Sequence, residues 1–262
     1  MSLEFSKYNA TGNDFVVIDR GHLAEADPAE LARKLCPRRL AVGADGLMVV
    51  GPTDRGIDVR YRNADGSRAA FCGNGARCAV HFAWSRGWVS EHCRLRFEDL
   101  PVEGEVLDGG HQVRITFRGV SVGARVESLD GGRDGVLGGR RIEAGVPHLV
   151  LEVDAVEAVE LAELFERVTT GPAAFDGNLT VVQVLGEDRL KVRTWERGCG
   201  ETLACGSAAL AAAAWAIEAR GGTESWTVLP PSGLALTAER RAEGRMALTG
   251  AVREVFRGRL RI

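Results

Sequence analysis

The sequence predicts a mixed α/β protein built from two similar halves, and three observations support that fold class. Strand-like segments rich in β-branched residues alternate with helix-like segments along the chain. The second half repeats the first at a constant spacing of 133 residues, which is the separation of Cys72 from Cys205. The segment "SLDGGRDGVLGG" at residues 128–139 is typical of a linker. We therefore expect an N-terminal lobe at residues 1–127 and a C-terminal lobe at residues 140–262.

The elements of the N-terminal half follow one another in a clear order. "NDFVVIDR", "DGLMVV" and "GIDVRYRNADG" each predict a strand, because β-branched and apolar residues dominate them. "DPAELARKLCPRR" predicts a short helix with Asp27 as its N-cap and Pro28 in the first helical position. "GARCAVHFAWSRG" predicts a second helix that ends at Gly87. Residues 89–127 have the pattern of strands separated by glycines.

The repeat aligns five elements of the two halves. Gly12 falls on Gly145, and the helix at 28–37 falls on "ELAELFERV". "GADGLMVV" falls on "DGNLTVVQ", and "DVRYRNADG" falls on "KVRTWERGC". One spacing without a gap serves the whole span, which favours duplication over two unrelated halves of similar rhythm. Duplicated halves usually pack about a pseudo-twofold axis, so we expect Cys72 and Cys205 to face a common cleft.

Composition excludes several classes of protein. The net charge of −3 and the absence of a basic stripe argue against nucleic acid as a partner. No apolar run reaches the roughly 18 residues of a membrane span. The N-terminal residues "MSLEFSKYNATGNDF" lack the pattern of a signal or transit peptide. We therefore expect a cytoplasmic protein whose six cysteines are reduced.

Each of the two paired cysteines directly precedes a predicted helix. A helix N-terminus carries free N–H groups and a positive partial charge, which bind anions and lower the pKa of a thiol. If an amino-acid carboxylate lay between two such ends, the thiolate of one cysteine could remove the α-proton. The opposite thiol could deliver a proton to the other face. This pattern predicts an amino-acid epimerase or racemase that acts on a small molecule without a metal or cofactor.

Two other uses of the cysteines fit less well. A four-thiolate zinc site is disfavoured because Cys72/Cys78 and Cys199/Cys205 have five-residue gaps, whereas structural zinc pairs use two to four. A dedicated redox protein usually carries C-x-x-C, which is absent here. The remaining cysteines, Cys36, Cys78 and Cys93, are expected to be buried thiols.

Five segments together resemble the diaminopimelate epimerase family. They are "KYNATGNDFVVID", "GADGL", "RNADGSRAAFCGNGARC", "GVPHLV" and "ERGCGETLACGSAA", and they occur in the family's order. The resemblance implies two pseudo-symmetric lobes, each a mainly antiparallel sheet curled around a central helix. It implies interconversion of LL- and meso-2,6-diaminoheptanedioate for lysine and peptidoglycan precursor synthesis. It also implies a homodimer.

The resemblance further implies roles for individual residues. Cys72 and Cys205 would be the catalytic acid/base pair. Backbone N–H groups at Gly73, Asn74, Gly206 and Ser207 would bind the reacting carboxylate. The remaining substrate contacts would come from Asn13, Asn63, Asn178, Glu196 and Arg197.

Two residues depart from the family pattern, and several interpretations of the function remain open. Val146 stands where the family often has asparagine, and Cys199 stands where it commonly has alanine. The scaffold could therefore racemise another amino acid, such as histidine or a hydroxyproline, or only bind one without catalysis. His148 could orient Glu196 or the substrate, or be a packed structural histidine.

Some polar residues near the motifs have simpler interpretations. Asn63, beside "ADG", could be only a turn residue. Glu201 and Thr202 are expected to brace their loop rather than touch the substrate.

Overall fold

The computed structural model describes residues 2–23, 26–69, 71–126, 135–170 and 174–261. The chain divides into two compact units: unit 1 takes the ranges 1–117 and 249–262, and unit 2 takes 118–248. Residues 128–134 of the predicted linker at 128–139 lie outside the described residues.

Unit 1 begins with seven strands and two helices. The strands are β1 (Ser2–Ala10), β2 (Asn13–Asp19), β3 (Gly46–Thr53), β4 (Gly56–Asn63), β5 (His92–Phe97), β6 (Leu100–Leu107) and β7 (Gln112–Phe117). The helices are α1 (Pro28–Leu35) and α2 (Gly73–Ser85). β1 and β2 are antiparallel, β2 and β3 parallel, β3 and β4 antiparallel, β4 and β5 parallel, and β5 to β7 antiparallel.

Unit 2 repeats this arrangement. Its strands are β8 (Val120–Val126), β9 (Val136–Ala144), β10 (Pro147–Val153), β11 (Asn178–Val184), β12 (Arg189–Glu196), β13 (Gly200–Thr202), β14 (Ser225–Leu229) and β15 (Leu236–Arg241). Its helices are α3 (Leu161–Thr170) and α4 (Gly206–Arg220). From β9 onward the pairings are again antiparallel, parallel, antiparallel, parallel and antiparallel, with β13 as a short addition to β12. The prediction of two similar α/β halves is confirmed.

The chain returns to unit 1 at its end. β16 (Arg245–Ala251) contains the point of division, and β17 (Arg253–Arg261) pairs antiparallel with β1. The sequence division placed residues 140–262 in one lobe. In the structure residues 249–262 group with unit 1, because the hydrogen bonds of β17 are made to β1.

The 133-residue spacing fails at one strand. In unit 1 Phe15 pairs with Gly46, whereas in unit 2 His148, which is 133 residues after Phe15, pairs with Asn178. β11 is therefore displaced by one residue from the spacing that the neighbouring elements keep. The expectation of a gap-free repeat is wrong here, because the β11–β12 connection is longer than the β3–β4 hairpin. In space Asn178 corresponds to Gly46 and not to Asp45.

Each unit is organised around a buried helix. α2 contacts all of β1 to β7, and every residue from Gly73 to Val80 is buried. α4 contacts β8 to β12, β14 and β15, and every residue from Gly206 to Ile217 is buried. Because strands contact the helix on every side, each sheet curls around its helix as expected. The alanines of α4 allow those strands to approach closely.

The outer helices are amphipathic and start as predicted. Asp27 caps α1, its carboxylate accepting from Ala29 N at 3.0 Å, and Pro28 takes the first position. Leu31 and Leu35 of α1 pack into the core, as Leu164 and Val168 of α3 do in unit 2. α1 ends at Leu35, two residues earlier than predicted, since Pro37 cannot continue it.

Among the described residues, none of the helices combines the length and apolarity that crossing a membrane needs. Short 3-10 helices lie at Arg20–His22, Asp108–Gly110, Val156–Ala158 and Ala242–Gly244.

The packing of α2 on β6 leads to a testable prediction. A Cβ at Gly104 would lie 2.5 Å from Val80 Cγ2 and 3.1 Å from Cys93 Sγ. We expect Gly104→Ala to lower the free energy of unfolding by about 1–3 kcal/mol, measured by urea denaturation. Val80→Ala should partly restore stability in the double variant, because it removes the clashing methyl groups. Strictly additive losses would show that α2 does not set the spacing at Gly104.

Candidate functional site

Cys72 lies at the N-terminus of the buried helix α2. Its backbone is extended (φ −141°, ψ 107°), and it is the N-cap residue. Its Sγ accepts the Gly75 N–H at 3.4 Å, so the sulfur faces the unpaired donors of the first turn. A Cβ at Gly75 would lie 3.6 Å from this sulfur and 3.1 Å from Met48 Sδ, so glycine keeps the approach open.

One asparagine amide lies beside the Cys72 sulfur, and a second is hydrogen-bonded to the first. Asn13, the first residue of β2, places Oδ1 3.7 Å from Cys72 Sγ. Asn74 Nδ2 donates to the same Oδ1 at 3.3 Å. Three of the five predicted residues of unit 1 therefore lie together, and a fourth, Gly73, is the first residue of α2.

A group of charged residues binds the nitrogen end of the Asn13 amide. Asn13 Nδ2 donates to Asp45 Oδ2 at 2.6 Å, which leaves Oδ1 directed at Cys72. Arg38 bridges Asp45 and Asp14, and Lys7 pairs with Asp14 at 2.6 Å. Burial alone would raise the pKa of Asp14, but hydrogen bonds from Arg38 and Lys7 outweigh burial and hold that pKa below its usual value.

Arg77 lies one turn below Cys72 and is fully buried. Its Nη2 donates to Asn74 Oδ1 at 2.8 Å and to Thr11 Oγ1 at 3.2 Å. Its Nη1 donates to the Gly73 carbonyl at 3.4 Å. Because an arginine only donates, these bonds fix the Asn74 amide with its oxygen inward and its nitrogen towards Asn13.

Asn63 belongs to a turn and not to the group around Cys72. It ends β4, its Nδ2 donates to Ser67 Oγ at 3.0 Å, and its carbonyl accepts from Gly66 N at 2.9 Å. Among the described residues no hydrogen bond of Asn63 reaches Asn13, Cys72 or Asn74. The structure therefore gives Asn63 the contacts of a turn residue, and its substrate contact stays a prediction.

Cys205 holds the equivalent place on α4, with different neighbours. It is the N-cap of α4 (φ −123°, ψ 118°), directly before the buried Gly206. Its Sγ lies 3.2 Å from Ser207 Oγ. Ser207 Oγ in turn lies 3.0 Å from His148 Nε2, and His148 Nδ1 lies 3.1 Å from Thr180 Oγ1. Thr180 continues the chain to Thr194 Oγ1 at 3.4 Å.

His148 is a buried, neutral member of this chain. Burial lowers its pKa to about 3, so the imidazole carries no charge near neutral pH. Each ring nitrogen faces a hydroxyl, and a hydroxyl can donate or accept. The chain can therefore present either a donor or an acceptor to Cys205. His148 is fully buried, and its hydrogen bonds go to Ser207 and Thr180 and not to Glu196. A role in orienting the substrate stays a prediction.

The remaining predicted residues of unit 2 lie around the loop after β12. Asn178 Oδ1 accepts from Arg197 N at 2.9 Å, which joins the start of β11 to that loop. The Arg197 side chain is 59% exposed and forms an ion pair with Asp176. Glu196 accepts from Thr202 Oγ1 at 2.7 Å.

The bracing expected of the neighbouring polar residues is confirmed. Glu201 forms a bidentate pair with Arg193 at 2.7 and 2.9 Å, which ties β13 to β12. Thr202 supports Glu196 through the hydroxyl bond described above. Both residues act on the loop itself.

The other cysteines differ in exposure. Cys36 and Cys78 are buried as expected, and burial raises the pKa of Cys36 to about 12 and that of Cys78 further. Cys93 is only half-buried, yet burial raises its pKa to about 11. Cys199 is exposed.

Several residues of these clusters were not predicted from the sequence: Thr11, Asp45, Arg77, Thr180 and Thr194. Arg77 lies within the segment "CGNGARC", but a charged residue in a predicted helix is ordinarily expected to be exposed to solvent. Its helical spacing from Gly73 was the available signal, because residues four apart lie on one helix face. Thr180 and Thr194 gave no signal, since they come from separate strands.

The family model for diaminopimelate epimerase matches residues 5–119 and 141–255. The diaminopimelate epimerase of Aquifex aeolicus is 37% identical over 277 residues, covering 98% of this chain and 98% of the relative. The chain belongs to the diaminopimelate epimerase family. The diaminopimelate epimerase of Caldanaerobacter subterraneus subsp. tengcongensis is 34% identical over 281 residues, covering 99% of this chain and all of the relative. As a family member the chain is an isomerase.

Solved structures support the fold. A phenazine biosynthesis protein of the PhzF family from Enterococcus faecalis matches with a TM-score of 0.74 at 16% identity, covering 100% of both chains. A predicted epimerase from Pseudomonas aeruginosa matches with a TM-score of 0.73 at 20% identity, covering 99% of both. These likenesses confirm the two-lobed architecture of the diaminopimelate epimerase type.

The neutral state of His148 has a measurable consequence for stability. Its folded pKa of about 3 lies below the ordinary value of 6.5, so the unfolded chain binds more protons between these values. Stability therefore falls as the pH is lowered through 6.5. Between pH 7.5 and 5, wild type should lose about 2 kcal/mol more than His148→Gln in urea unfolding. Equal losses in the two proteins would mean that His148 is not held neutral.

Proposed function

We propose that this member of the diaminopimelate epimerase family interconverts LL- and meso-2,6-diaminoheptanedioate, with Cys72 and Cys205 as its acid/base pair. The observation that carries the proposal is the equivalent placement of the two sulfurs. Each is the N-cap of a helix whose first turns are fully buried, and each has a polar side chain within hydrogen-bonding distance.

The reaction needs one thiolate and one thiol. The thiolate takes the α-proton, so an S–H bond forms as the C–H bond breaks and the electron pair delocalises into the carboxylate. The second thiol then gives its proton to the opposite face, and a new C–H bond forms. The proposal requires the two sulfurs to approach opposite faces of the α-carbon. No metal or cofactor enters this scheme.

The helix ends would stabilise the charge that grows on the carboxylate. The N–H groups at Gly73, Asn74, Gly206 and Ser207 belong to first helical turns, where N–H groups lack intrahelical acceptors. All four residues are buried, so these dipoles act with little screening by water. The donors are held by the helices and need no reorganisation during the reaction.

Two polar groups would serve the remote end of the substrate. Arg197 has an exposed guanidinium that can exchange Asp176 for a substrate carboxylate in a bidentate pair. Asn178 fixes the backbone at Arg197, and Glu196 can accept from an ammonium group. Asn13 and Asn63 complete the proposed contacts from unit 1.

Val146 supports a second candidate, a racemase for another amino acid. The equivalent residue of unit 1 is Asn13, which binds the Cys72 sulfur, whereas valine offers no polar group. One amide of the symmetric pair is therefore lost. A substrate with a smaller remote end, such as histidine or a hydroxyproline, tolerates that loss better.

We further propose that the protein is a cytoplasmic homodimer.

The substrate can be tested in D2O. Reduced protein should convert LL-diaminoheptanedioate to the meso isomer, with deuterium at the inverted carbon. Because each thiol carries a single proton, the remaining LL isomer should keep its α-proton early in the reaction. Chromatographic separation followed by proton NMR and mass spectrometry reads both isomers.

A panel of other amino acids is the control for that assay. Exchange of another amino acid in place of diaminoheptanedioate would identify the second candidate. A lack of exchange with every amino acid under reducing conditions would leave only a binding protein.

The thiol roles can be tested by single substitutions. Cys72→Ala and Cys205→Ala should each lower kcat by at least about 1,000-fold, since each removes a group that moves a proton in the reaction. Thermal unfolding should show that both variants remain folded. Cys199→Ala is the matched control, because this exposed thiol has no role in the scheme and its loss should leave turnover near wild type. Near-normal turnover in either of the first two variants would exclude the two-thiol mechanism.

A further inference from the structure

Asp45 lies directly before β3 and binds the nitrogen end of the Asn13 amide. Asn13 Nδ2 donates to Asp45 Oδ2 at 2.6 Å, and Arg38 pairs with the other carboxylate oxygen at 2.8 Å. An ionised carboxylate only accepts hydrogen bonds, so it can hold only the nitrogen end of an amide. The oxygen end of Asn13 therefore faces away from Asp45, and it lies 3.7 Å from Cys72 Sγ.

The Asn13 amide is held at both ends, and Asp45 makes the stronger of the two bonds. Asn74 Nδ2 donates to Asn13 Oδ1 at 3.3 Å, which is a longer bond between two neutral amides. The bond to Asp45 is shorter and has a charged acceptor, and such bonds are roughly twice as strong as neutral ones. Asp45 is therefore the main constraint on which end of the amide faces the sulfur.

The backbone of Asp45 is fixed by bonds that do not involve its side chain. Its N–H lies 3.0 Å from the carbonyl oxygen of Asp14 in β2. Its carbonyl accepts from Ala64 N at 3.1 Å, in the turn after β4. The side chain is 41% exposed, so its removal leaves no cavity in the core. The carboxylate can therefore be tested separately from the local fold.

Unit 2 has neither partner of this bond at the equivalent positions. Val146 takes the place of Asn13 in the repeat, and Gly177, directly before β11, takes the place of Asp45, directly before β3. A Cβ at Gly177 would lie 2.6 Å from backbone and side-chain atoms of its neighbours, so this position has no room for a carboxylate. A carboxylate that the shared backbone required would be needed in both units. Its presence only beside the amide indicates that it serves Asn13 and Cys72.

The orientation of the amide decides which form of Cys72 it stabilises. An amide oxygen only accepts, so it can bind the S–H of the thiol but not a thiolate. An amide turned the other way would donate its N–H to the sulfur and favour the thiolate. The Gly75 N–H lies 3.4 Å from the same sulfur and does not depend on the amide. The group that fixes the amide therefore biases the balance between the two forms of Cys72.

We propose that Asp45 is a positioning residue for the reaction, whose carboxylate keeps the Asn13 oxygen on the Cys72 sulfur and so favours the thiol over the thiolate. This inference rests on the proposed function, because that balance matters to the reaction only if the sulfur moves a proton.

The test compares two substitutions at Asp45 and needs no substrate. Asp45→Ala removes the acceptor of Asn13 Nδ2, whereas Asp45→Asn removes the charge and keeps an oxygen that can accept. The rate of alkylation of Cys72 by iodoacetamide is followed against pH by peptide mass spectrometry. We expect the apparent pKa of Cys72 to fall by roughly half a unit in Asp45→Ala. It should stay near wild type in Asp45→Asn, because the exposed charge is screened by solvent and by Arg38.

Turnover gives a second readout of the same pair. We expect kcat to fall roughly ten-fold in Asp45→Ala, because the amide beside the reacting sulfur is no longer fixed. Asp45→Asn should restore most of this loss. A role of Asp45 in folding alone would lower stability without moving the alkylation profile of Cys72.

Asp19→Ala is the matched control. Asp19 ends the same strand β2, and its carboxylate accepts from Gly21 N at 2.7 Å. Its loss should leave the pH profile of Cys72 unchanged, and Cys205 should keep its own profile in every variant. An unshifted Cys72 in folded Asp45→Ala would overturn the proposal. Equal shifts in Asp45→Ala and Asp45→Asn would also overturn it, because the charge would then act without positioning the amide.

The outcomes separate this inference from the proposed function. The expected alkylation shifts in a protein that does not epimerise diaminoheptanedioate would reject the proposed substrate and leave the hold of Asp45 on Asn13 and Cys72 intact. Normal epimerisation together with an unshifted Cys72 in Asp45→Ala would reject only the role of Asp45.

Discussion

The rest of each unit depends on the burial of most of a helix inside a curled sheet. Strands contact α2 and α4 on every side, and every residue from Gly73 to Val80 and from Gly206 to Ile217 is buried. A helix buried in this way still has unpaired N–H groups at its beginning, and they need acceptors. The cysteine at each N-cap, the glycine after it and the polar side chains nearby are all located by that requirement. A ligand carboxylate is one more acceptor for the same donors.

The two units share a backbone but differ in the polar residues around their cysteines. In unit 1 the helix carries the polar residues Asn74 and Arg77, while the facing strands contribute Phe15, Met48 and Tyr61. In unit 2 the helix has Leu210 in place of Arg77, while the facing strands contribute His148, Thr180 and Thr194. Both solutions give a cysteine a hydrogen-bonded environment, one with a cation and one with a neutral chain. Duplication explains the shared backbone, while the side chains around the two cysteines have diverged.

The sequence predicted those features that depend on local chemistry. The start of α1 followed from Asp27 and Pro28, and the starts of α2 and α4 followed from the repeated Cys-Gly pair. The displacement of β11 could not be predicted from the sequence. It results from a one-residue change in the length of the connections before and after β11, and such a change leaves the apolar pattern of "NLTVV" intact. The return of β17 to β1 was also missed, since strand pairing between distant segments leaves no periodic signal. Arg77 was missed because its burial depends on the strands around α2.

The pairing of β17 with β1 has a consequence for the order in which the chain folds. β1 begins at Ser2 and β17 ends at Arg261, so nearly the whole chain separates two paired neighbours. During synthesis the residues of unit 2 leave the ribosome before the last strand of unit 1 does. Unit 2 can therefore assemble while the outer edge of β1 still lacks its partner. An unpaired edge is prone to association with other chains, so the nascent protein depends on completion of its final strand to close that edge.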